Sequence, residues 1–291
     1  MKIIVTIPAY NEEDTIGEVI QNTKKTMSKA NHHYEIQVLD DGSTDQTKNI
    51  AQKLGANVFS HQNNRGLAQT FRDEIKYALE NNADIIVHID ADGQYLTDEI
   101  LNLLKPIIDG EADFVLGSRF MGTIEDMPFI KKLGNRAFSR VVSKITKTKI
   151  SDAQTGFRAF TRDVAEEVDV NSNFTYTQEQ IIKAVEKNFR IKEIPIYFAR
   201  RSAGTSRLMT NPFDYAIRAG VNLIRIYRDY VPLKFFGAFG FLFILGGFLL
   251  FLYSLLYLDY FFDNTIILLF IVGVQITLFG FLAEMIKNES K

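Results

Sequence analysis

The sequence has 291 residues, of which 46% are hydrophobic and 23% are charged, and its formal net charge is −2. This length allows one large domain or two small ones, and the balanced charge gives no reason to expect a nucleic acid as partner. Because the chain contains no cysteine, disulfides, zinc–thiolate sites, iron–sulfur clusters and cysteine nucleophiles are excluded.

The first 120 residues alternate between strand-like and helix-like patterns. Runs of apolar residues predict strands at 2–7, 34–39, 57–59, 84–89 and 113–117. The segments between these runs carry apolar residues at helical spacing. Alternating strands and helices indicate an α/β fold with a mainly parallel sheet and right-handed crossovers.

Four of the predicted strands are followed by unusually polar loops. These loops are "PAYNEE" (8–13), "DDGSTD" (40–45), "HQNNRG" (61–66) and "DADGQ" (90–94). Ligands of parallel sheets bind outside the carboxyl ends of the strands, so we expect one site built from all four loops. The sequence lacks both the G-x-G-x-x-G fingerprint and the P-loop pattern, which excludes those two nucleotide sites.

The fourth polar loop carries a candidate metal site. Asp90 and Asp92 leave the predicted strand on the same side, and the following turn brings Gln94 back toward them. A calcium-binding EF-hand loop starting at Asp90 would need Gly and Glu where the chain has Tyr95 and Leu101. We therefore predict Mg²⁺ or Mn²⁺, which takes one or two carboxylates and fills its other positions with water and phosphate oxygens. A nucleoside diphosphate is the natural complement.

The carboxyl-terminal part differs in kind. No residue is charged from Phe235 to Leu258 or from Asn264 to Ala283, and about 20 such residues suffice for a helix to cross a bilayer. The connection between these runs holds Asp259 and Asp263 but no base, whereas bases flank the outer ends. The positive-inside rule then predicts a protein of the cell membrane with two spans, both ends and the catalytic part being cytoplasmic.

A basic segment lies upstream of the first span, with seven bases and two acids between residues 200 and 234. Its apolar residues recur at helical spacing, which predicts an amphipathic helix that lies in the membrane interface or packs under the catalytic domain. The expected organisation is a catalytic domain at 1–208, this helix at 209–233 and a transmembrane hairpin at 234–291. The hairpin is also the expected contact if copies of the chain associate.

The motifs together resemble a known family. "PAYNE", "DDGSTD" and the D-x-D, in this order, resemble the inverting nucleotide-sugar glycosyltransferases of the GT-A fold over residues 3–120. "FVLGSRF" (114–120), "SDAQTGFRAF" (151–160), "IPIYFARRSAGTSRL" (194–208) and the two-span tail resemble its polyprenyl-phosphate branch, which includes the dolichyl-phosphate mannose synthases. The resemblance implies transfer of one sugar from a UDP- or GDP-sugar, with inversion, to a polyprenyl or dolichyl phosphate held in the bilayer. The product would be a lipid-monophosphate-linked sugar for glycan or glycoprotein assembly.

The resemblance also implies roles for individual residues. Four residues would line the base and ribose: Pro8, Tyr10, Glu12 and Asp41. The metal ion would be held against the diphosphate by Asp90, Asp92 and Gln94. Of these, Asp92 also counts as catalytic. Four residues would meet phosphates: Arg119, Arg201, Ser206 and Arg207. Arg119 and Arg201 count as catalytic, and Arg119 would contact the acceptor phosphate. A guanidinium suits this task because it matches phosphate oxygens bidentately and keeps its charge at every relevant pH.

Some site residues have alternative interpretations. In the helix after residues 120–128, Lys131, Lys132 and Arg136 stand where related enzymes often carry an arginine, and the sequence leaves open which one meets the acceptor. Two other arginines, Arg158 and Arg200, are expected to pair with surface carboxylates.

A different acceptor would imply a different enzyme. Glu179 in "TYTQEQ" stands where hydroxyl-directed relatives often keep a catalytic acid, so the alternative function is a membrane-bound enzyme acting on a sugar hydroxyl in polysaccharide or glycolipid synthesis, with Glu179 as base. Processive synthases of that kind depend on Q-x-x-R-W, and this chain has no tryptophan. A third alternative, an inactive sugar-nucleotide-binding protein, is disfavoured because the metal triplet is intact.

Overall fold

The computed structural model describes residues 1–30, 32–172, 176–201, 212–258 and 263–289. These residues form two compact units, Met1–Ala219 and Gly220–Lys291. Two predicted phosphate-binding residues, Ser206 and Arg207, lie outside the described residues.

The first unit contains a seven-stranded sheet, and all five predicted strands are present in it. The strands are β1 (Lys2–Ala9), β2 (His33–Asp40), β3 (Asn57–Ser60), β4 (Ile85–His88), β5 (Phe114–Ile124), β6 (Arg158–Thr161) and β7 (Ile191–Phe198). Their order is β3-β2-β1-β4-β6-β5-β7. The order changes direction between β1 and β4, which is where open α/β sheets form a ligand crevice.

The sheet is mainly parallel, as predicted, with one exception. Strand β6 runs antiparallel to both of its neighbours, β4 and β5, while every other pair is parallel. This strand has only four residues, "RAFT", and its first three are the end of the "SDAQTGFRAF" motif. Its insertion brings the chain around residues 152–158 back beside the end of β4, where the polar loops lie.

Helices occupy the segments between the strands, as the helical spacing of their apolar residues predicts. In the first helix Ile16, Val19 and Ile20 are at most 4% exposed. The central strand β1 is buried from its second residue onward because it is covered on both faces. The helices of the chain are α1 (Ile16–Met27), α2 (Thr47–Lys53), α3 (Leu67–Glu80), α4 (Ile100–Ile108), α5 (Phe129–Thr146), α6 (Arg162–Glu167), α7 (Tyr176–Glu186), α8 (Pro212–Tyr230), α9 (Pro232–Tyr257) and α10 (Asp263–Glu289).

Helix α8 is the amphipathic helix that the sequence predicts upstream of the first span. It begins at Pro212, whose missing N–H suits the first turn of a helix. Ile217, Val221 and Ile224 on its predicted apolar face are 51%, 42% and 55% exposed. Its position in a membrane interface stays a prediction.

The second unit is dominated by two long apolar helices, as predicted. Pro232–Tyr257 and Asp263–Lys287 have mean hydropathies of 2.4 and 2.6, and both are long and apolar enough to cross a membrane. At their contact Gly240 and Gly273 face each other, since a Cβ on Gly240 would lie 2.6 Å from the Gly273 carbonyl oxygen. Such small residues let helix backbones approach closely in a bilayer. The Leu233 N–H donates to Glu284 at 3.3 Å, so the two outer ends of the hairpin lie together.

Candidate active site

The loops after β1 and β2 are bound to each other by reciprocal hydrogen bonds. Asn11, with a φ of 52° that asparagine tolerates better than most residues, accepts the Thr44 N–H at 2.7 Å and donates its own N–H to Ser43 at 2.9 Å. The Glu12 N–H donates to the Thr47 hydroxyl at 2.8 Å. These bonds connect the "PAYNEE" and "DDGSTD" loops, which together form one side of the site.

Asp41 joins this wall to the third loop. Its buried carboxylate accepts the N–H groups of Arg65 at 2.8 Å and Gly66 at 2.9 Å. It also contacts His61 Nδ1 at 2.7 Å, and the other ring nitrogen of His61 contacts Asp73 at 2.9 Å. The structure thus gives Asp41 a role in holding the loop, while its predicted contact with the base or ribose stays a prediction.

The other residues predicted to line the base and ribose lie at the same edge of the sheet. Pro8 is buried at the end of β1 and pairs with Leu39 of β2. Tyr10 and Glu12 are half-buried beyond it. These positions agree with a ribose and base pocket, which stays a prediction.

The D-x-D loop follows β4 directly and has the predicted turn. Gly93 adopts a φ of 72°, and the Gln94 N–H donates to Asp92 Oδ1 at 3.1 Å. The Gln94 side chain donates to the Ala199 carbonyl oxygen at 3.2 Å, so it also connects this loop to the chain after β7. Its predicted contact with a metal ion stays a prediction.

The two carboxylates of this loop have opposite environments. Burial and the negative charge of Asp90 raise the pKa of Asp92, although the Gln94 N–H and Arg201 act in the other direction. Burial also acts to raise the pKa of Asp90, but the positive charges of His88, Arg119 and Arg158 outweigh it, so that the pKa is lowered. Asp90 is therefore held ionised, and its charge makes a second anion beside it costly.

This pair of residues fits a divalent cation that is bound partly by substrate. Within the described residues no cluster of three His, Cys, Asp or Glu side chains could bind a metal ion on its own. Mg²⁺ and Mn²⁺ sites of this kind use one or two carboxylates and leave the other positions to water and phosphate. A divalent ion would also relieve the repulsion that raises the pKa of Asp92.

A buried ion pair between α3 and β4 supports Asp90, and no pattern in the sequence indicates it. His88 Nδ1 lies 2.9 Å from Glu74 Oε2 on α3, and His88 Nε2 lies 3.6 Å from Asp90 Oδ1. Burial lowers the pKa of His88, but the charges of Glu74 and Asp90 outweigh it and raise the pKa to about 9. The histidine, which the spacing shows only as a strand residue, is thus the link between the interior and the D-x-D loop.

Gly156 in the "QTGFRAF" motif forms the opposite wall around Asp90. A Cβ at this position would lie 2.8 Å from Asp90 Oδ2 and 2.9 Å from Oδ1. The Gly156 N–H donates to the Tyr95 hydroxyl at 3.0 Å, and burial raises the pKa of Tyr95 to about 12, which keeps it a neutral phenol. The motif therefore needs glycine here because only a residue without a side chain leaves room for the carboxylate.

Arg201 reaches the D-x-D loop, as predicted for a residue that flanks the site. Its Nη2 lies 2.8 Å from Asp92 Oδ2 and 3.7 Å from Glu12 Oε1. Residues of three loops, after β1, β4 and β7, are thus brought together around one guanidinium.

Arg119 lies deeper than its predicted role suggests. It is 4% exposed, and its Nε and Nη2 donate to the two oxygens of Asp152 at 2.7 and 2.9 Å. Burial lowers the pKa of Arg119, but the charge of Asp152 outweighs it and raises the pKa. Its ring contact is Phe198, 5.2 Å from the guanidinium carbon. Asp152 is a residue that the sequence motif contains but that its spacing does not identify, and the predicted acceptor contact of Arg119 stays a prediction.

The three candidate acceptor bases, Lys131, Lys132 and Arg136, all lie on α5. Burial and the charge of Arg119 lower the pKa of Lys131, whereas Asp92 and Asp90 act to raise it. Arg136 is exposed and stacks on Phe120, with 5.3 Å from its guanidinium carbon to the ring centre. Lys131 is thus within electrostatic reach of Asp90 and Asp92, and which of the three candidates meets an acceptor phosphate stays a prediction.

The expectations for two other arginines have different outcomes. Arg200 lies 4.0 Å from Asp126 at the surface, as expected. The expectation of a surface ion pair for Arg158 is wrong, because Arg158 is fully buried and donates to Gln180 at 2.8 Å and to the Thr177 carbonyl oxygen at 3.3 Å. Arginine is rarely fully buried, which is why the sequence favours the surface.

Glu179 is occupied by structural contacts. Its Oε2 accepts the N–H groups of Asn171 at 3.1 Å and Ser172 at 2.7 Å, and its Oε1 lies 2.9 Å from Lys183 Nζ one helical turn away. The side chain is 5% exposed. These contacts explain an acidic residue at the start of α7 without a catalytic role.

Comparison with known proteins supplies the family context. The model described as Glycosyl transferase family 2 matches residues 4–169, and the model described as GtrB C-terminal hairpin matches residues 231–288. An uncharacterised protein of Methanocaldococcus jannaschii is 36% identical over 232 residues, which cover 78% of this chain and 88% of that protein. The UDP-N-acetylglucosamine–dolichyl-phosphate N-acetylglucosaminyltransferase of Methanococcus voltae is 31% identical over 217 residues, covering 67% of this chain and 84% of that protein.

A solved structure agrees with the fold. The glucosyl-3-phosphoglycerate synthase of Mycobacterium tuberculosis, in complex with Mn²⁺, UDP and glucosyl-3-phosphoglycerate, matches with a TM-score of 0.58 and 19% identity. The match covers 76% of this chain and 79% of that protein. The predicted GT-A-type fold is thereby confirmed, and the dolichyl-phosphate relative confirms the resemblance to the polyprenyl-phosphate branch.

Proposed function

The chain belongs to glycosyl transferase family 2, and we propose that it transfers one sugar from a UDP- or GDP-sugar to a polyprenyl phosphate such as dolichyl phosphate, with inversion. One observation carries this proposal: a carboxylate pair, Asp90 and Asp92, lies against Arg201 and within electrostatic reach of Lys131, in a chain with two helices able to cross a membrane. Such a site suits two phosphate groups that must be brought together beside a bilayer. The dolichyl-phosphate acceptor in the name of the Methanococcus voltae relative supports it.

The acceptor explains why the site is rich in bases and needs no general base. A phosphate monoester has a second pKa near 6, so at pH 7 most of a lipid phosphate is a dianion able to attack the anomeric carbon directly. A dianion approaching a nucleoside diphosphate meets strong repulsion, which fixed positive charges must offset. Lys131 and Arg201 would serve this task, and the charge of the buried Arg119 would add to theirs.

Asp90 and Asp92 would hold Mg²⁺ or Mn²⁺, with Gln94 beside them. When bound, the ion would neutralise charge on the diphosphate leaving group. The part of the protein is to keep Asp90 ionised through His88 and to keep both carboxylates at the end of β4. Arg201 now pairs with Asp92 and would meet the donor phosphates once they enter.

The hydroxyl-directed alternative is less well supported. It requires Glu179 as a base, and the Glu179 carboxylate binds two backbone N–H groups and Lys183. A base must reach the proton that it abstracts. We therefore retain the lipid phosphate as the acceptor.

The proposal includes a cellular arrangement. The hairpin of α9 and α10 would anchor the protein in the cell membrane with the family domain in the cytoplasm, α8 lying between them at the interface. The excess of bases at the outer ends of the hairpin supports this orientation. Association of copies through the hairpin also stays a prediction.

The test is transfer itself. Membranes that contain the protein are incubated with dolichyl phosphate and, one at a time, radiolabelled UDP- and GDP-sugars, and the lipid fraction is extracted. We expect one sugar to enter the lipid fraction through a link that mild acid cleaves, because a glycosyl phosphomonoester is far more labile than a glycoside. Label only in an acid-stable glycoside would refute the proposed acceptor.

A further inference from the structure

The outward face of α10 carries a regular repeat. Residues at alternating spacings of three and four are all exposed on it: Leu268, Ile271, Gln275, Leu278, Leu282 and Met285. The apolar members of this set are 50–60% exposed. We call these residues the α10 heptad face. A repeat with this spacing is the pattern by which two helices pack along their length in a left-handed coiled coil.

The α10 heptad face points away from α9. Helix α10 contacts α9 through Gly273 and Gly280, since a Cβ on either glycine would lie less than 3 Å from an atom of α9. At 3.6 residues per turn, the α10 heptad face is centred about half a turn from that contact. The described residues include two helices able to cross a membrane, so they offer no third span to cover this face.

Gln275 distinguishes this face from a surface made for lipid. It stands at the midpoint of the helix Asp263–Lys287, about 18 Å from either end at 1.5 Å per residue. The hydrocarbon core of a bilayer is about 30 Å thick, so the amide would lie near its centre. Among the described residues the Gln275 side chain has no hydrogen-bond partner, and hydrocarbon offers none. An amide left unpaired in hydrocarbon is costly, so polar side chains within spans face partners.

Helix α9 gives the contrast. From Phe235 to Leu252 it has no polar side chain, and its exposed residues are mostly phenylalanine and leucine. Lipid alone suffices to cover a face of this composition. The need for a protein partner is therefore specific to α10.

A second copy of the chain is the partner that fits. Copies inserted in one membrane share one orientation, so a twofold axis along the membrane normal places each residue of α10 opposite the same residue at the same depth. A glutamine amide has both donors and an acceptor, so two Gln275 side chains can satisfy each other across this axis. A polar residue at one position of a heptad repeat also fixes the register of the two helices.

We propose that two copies of the chain pair through the α10 heptad face, with a hydrogen bond between their Gln275 side chains in the middle of the bilayer. This pairing depends on the membrane insertion proposed above and not on the sugar, the acceptor or the catalytic residues. Association through the hairpin thereby acquires one helix face, a parallel orientation and one polar contact.

Cysteine cross-linking tests the pairing, because the sequence contains no cysteine of its own. Leu268→Cys is introduced into the full chain, and membranes that contain it are oxidised with copper phenanthroline. The matched control is Leu249→Cys on α9, since Leu249 is 56% exposed and Leu268 is 59% exposed. The two positions lie at a similar depth, because Gly247 packs against Leu269 and Phe270.

We expect the disulfide-linked dimer to form at least about tenfold faster with Leu268→Cys than with Leu249→Cys, because a disulfide requires Cα atoms within about 7 Å. Equal rates would overturn the proposal, since random collisions in the bilayer treat both positions alike. The absence of a cross-link at either position would also overturn it.

A second substitution isolates the amide. Gln275→Leu, combined with Leu268→Cys, keeps the apolar packing and removes the hydrogen bond, so the cross-linking rate should fall about three- to tenfold. Gln275→Asn should restore part of this loss, because asparagine keeps the amide. A rate unchanged by Gln275→Leu would overturn the assigned contact.

The readouts separate this proposal from the proposed function. Sugar transfer is not measured, so a chain without transferase activity would leave the cross-linking result decisive. Release of the chain from membranes by alkaline carbonate would refute the anchoring by the hairpin and the pairing together.

Discussion

Replacing Gly156 by alanine tests whether the Asp90 carboxylate is held where a metal ion would need it. The added Cβ would lie 2.8 Å from the nearer oxygen, whereas ordinary contact begins at 3.4 Å, so the carboxylate must retreat by about 0.6 Å. The tolerance of a binding site is about 0.5 Å. The backbone at this position is itself fixed, because its N–H donates to the buried Tyr95 hydroxyl.

We expect the affinity for Mn²⁺ to fall by about 10–100-fold, as is typical when the support of a metal ligand is disturbed. The assay is the Mn²⁺ dependence of transfer, together with titration of Mn²⁺ by electron paramagnetic resonance in the presence of UDP. High Mn²⁺ concentrations should restore part of the turnover, because the ligand is displaced and not removed.

The control for this change is Gly220→Ala in α8, where a Cβ meets nothing within 4 Å. It should leave the metal dependence unchanged. A folded Gly156→Ala variant with the Mn²⁺ affinity of the parent would refute the reasoning. A lowered melting temperature with unchanged affinity would show that the glycine serves the fold alone.

Three further predictions concern the charged groups of the site. Excess EDTA should abolish transfer, and full activity in EDTA would rule the metal site out. Asp92→Asn should also abolish transfer but leave the melting temperature unchanged, because an amide binds a divalent ion poorly and has nearly the same volume as a carboxylate. Asp152→Asn should lower the free energy of unfolding by about 3–5 kcal/mol, because it leaves the buried Arg119 without its counter-charge. The measurement is urea denaturation, and an unchanged midpoint would mean that the pair is not needed for stability. In single-turnover transfer to dolichyl phosphate, Arg201→Ala should lower the rate about 10²-fold or more, and Glu179→Gln should lower it clearly less. If both variants lose a comparable factor, and the pH–rate profile of Glu179→Gln lacks the basic limb of the parent, a hydroxyl acceptor is favoured.

The sequence is sufficient for the architecture of the site edge. Short apolar runs predict the strands, and the polar residues between the runs predict the loops. Because the carboxyl ends of parallel strands lie at one edge of a sheet, Glu12, Asp41 and Asp92 are then expected at the same edge. The two apolar helices likewise follow from length and composition alone. These features depend on patterns that are local in the chain.

Side-chain partners are less predictable because they depend on distant elements. Arg119 and Asp152 are 33 residues apart and meet only because β6 is inserted between β4 and β5. Glu74 and His88 lie on a helix and the following strand, and their pairing requires that both point into the same buried layer. Neither residue type nor spacing indicates such pairs, so the sequence predicts which groups reach the site better than which groups hold them there.

The glycine contact between α9 and α10 limits what the hairpin can do. A Cβ on Gly240 would lie 2.2 Å from the Thr277 hydroxyl oxygen, so the two helices are in direct contact at this level. Two helices packed this closely offer no polar route through the hydrocarbon core for a sugar headgroup. Under the proposed function we therefore expect this helix pair to anchor the protein and not to carry the glycolipid across the membrane.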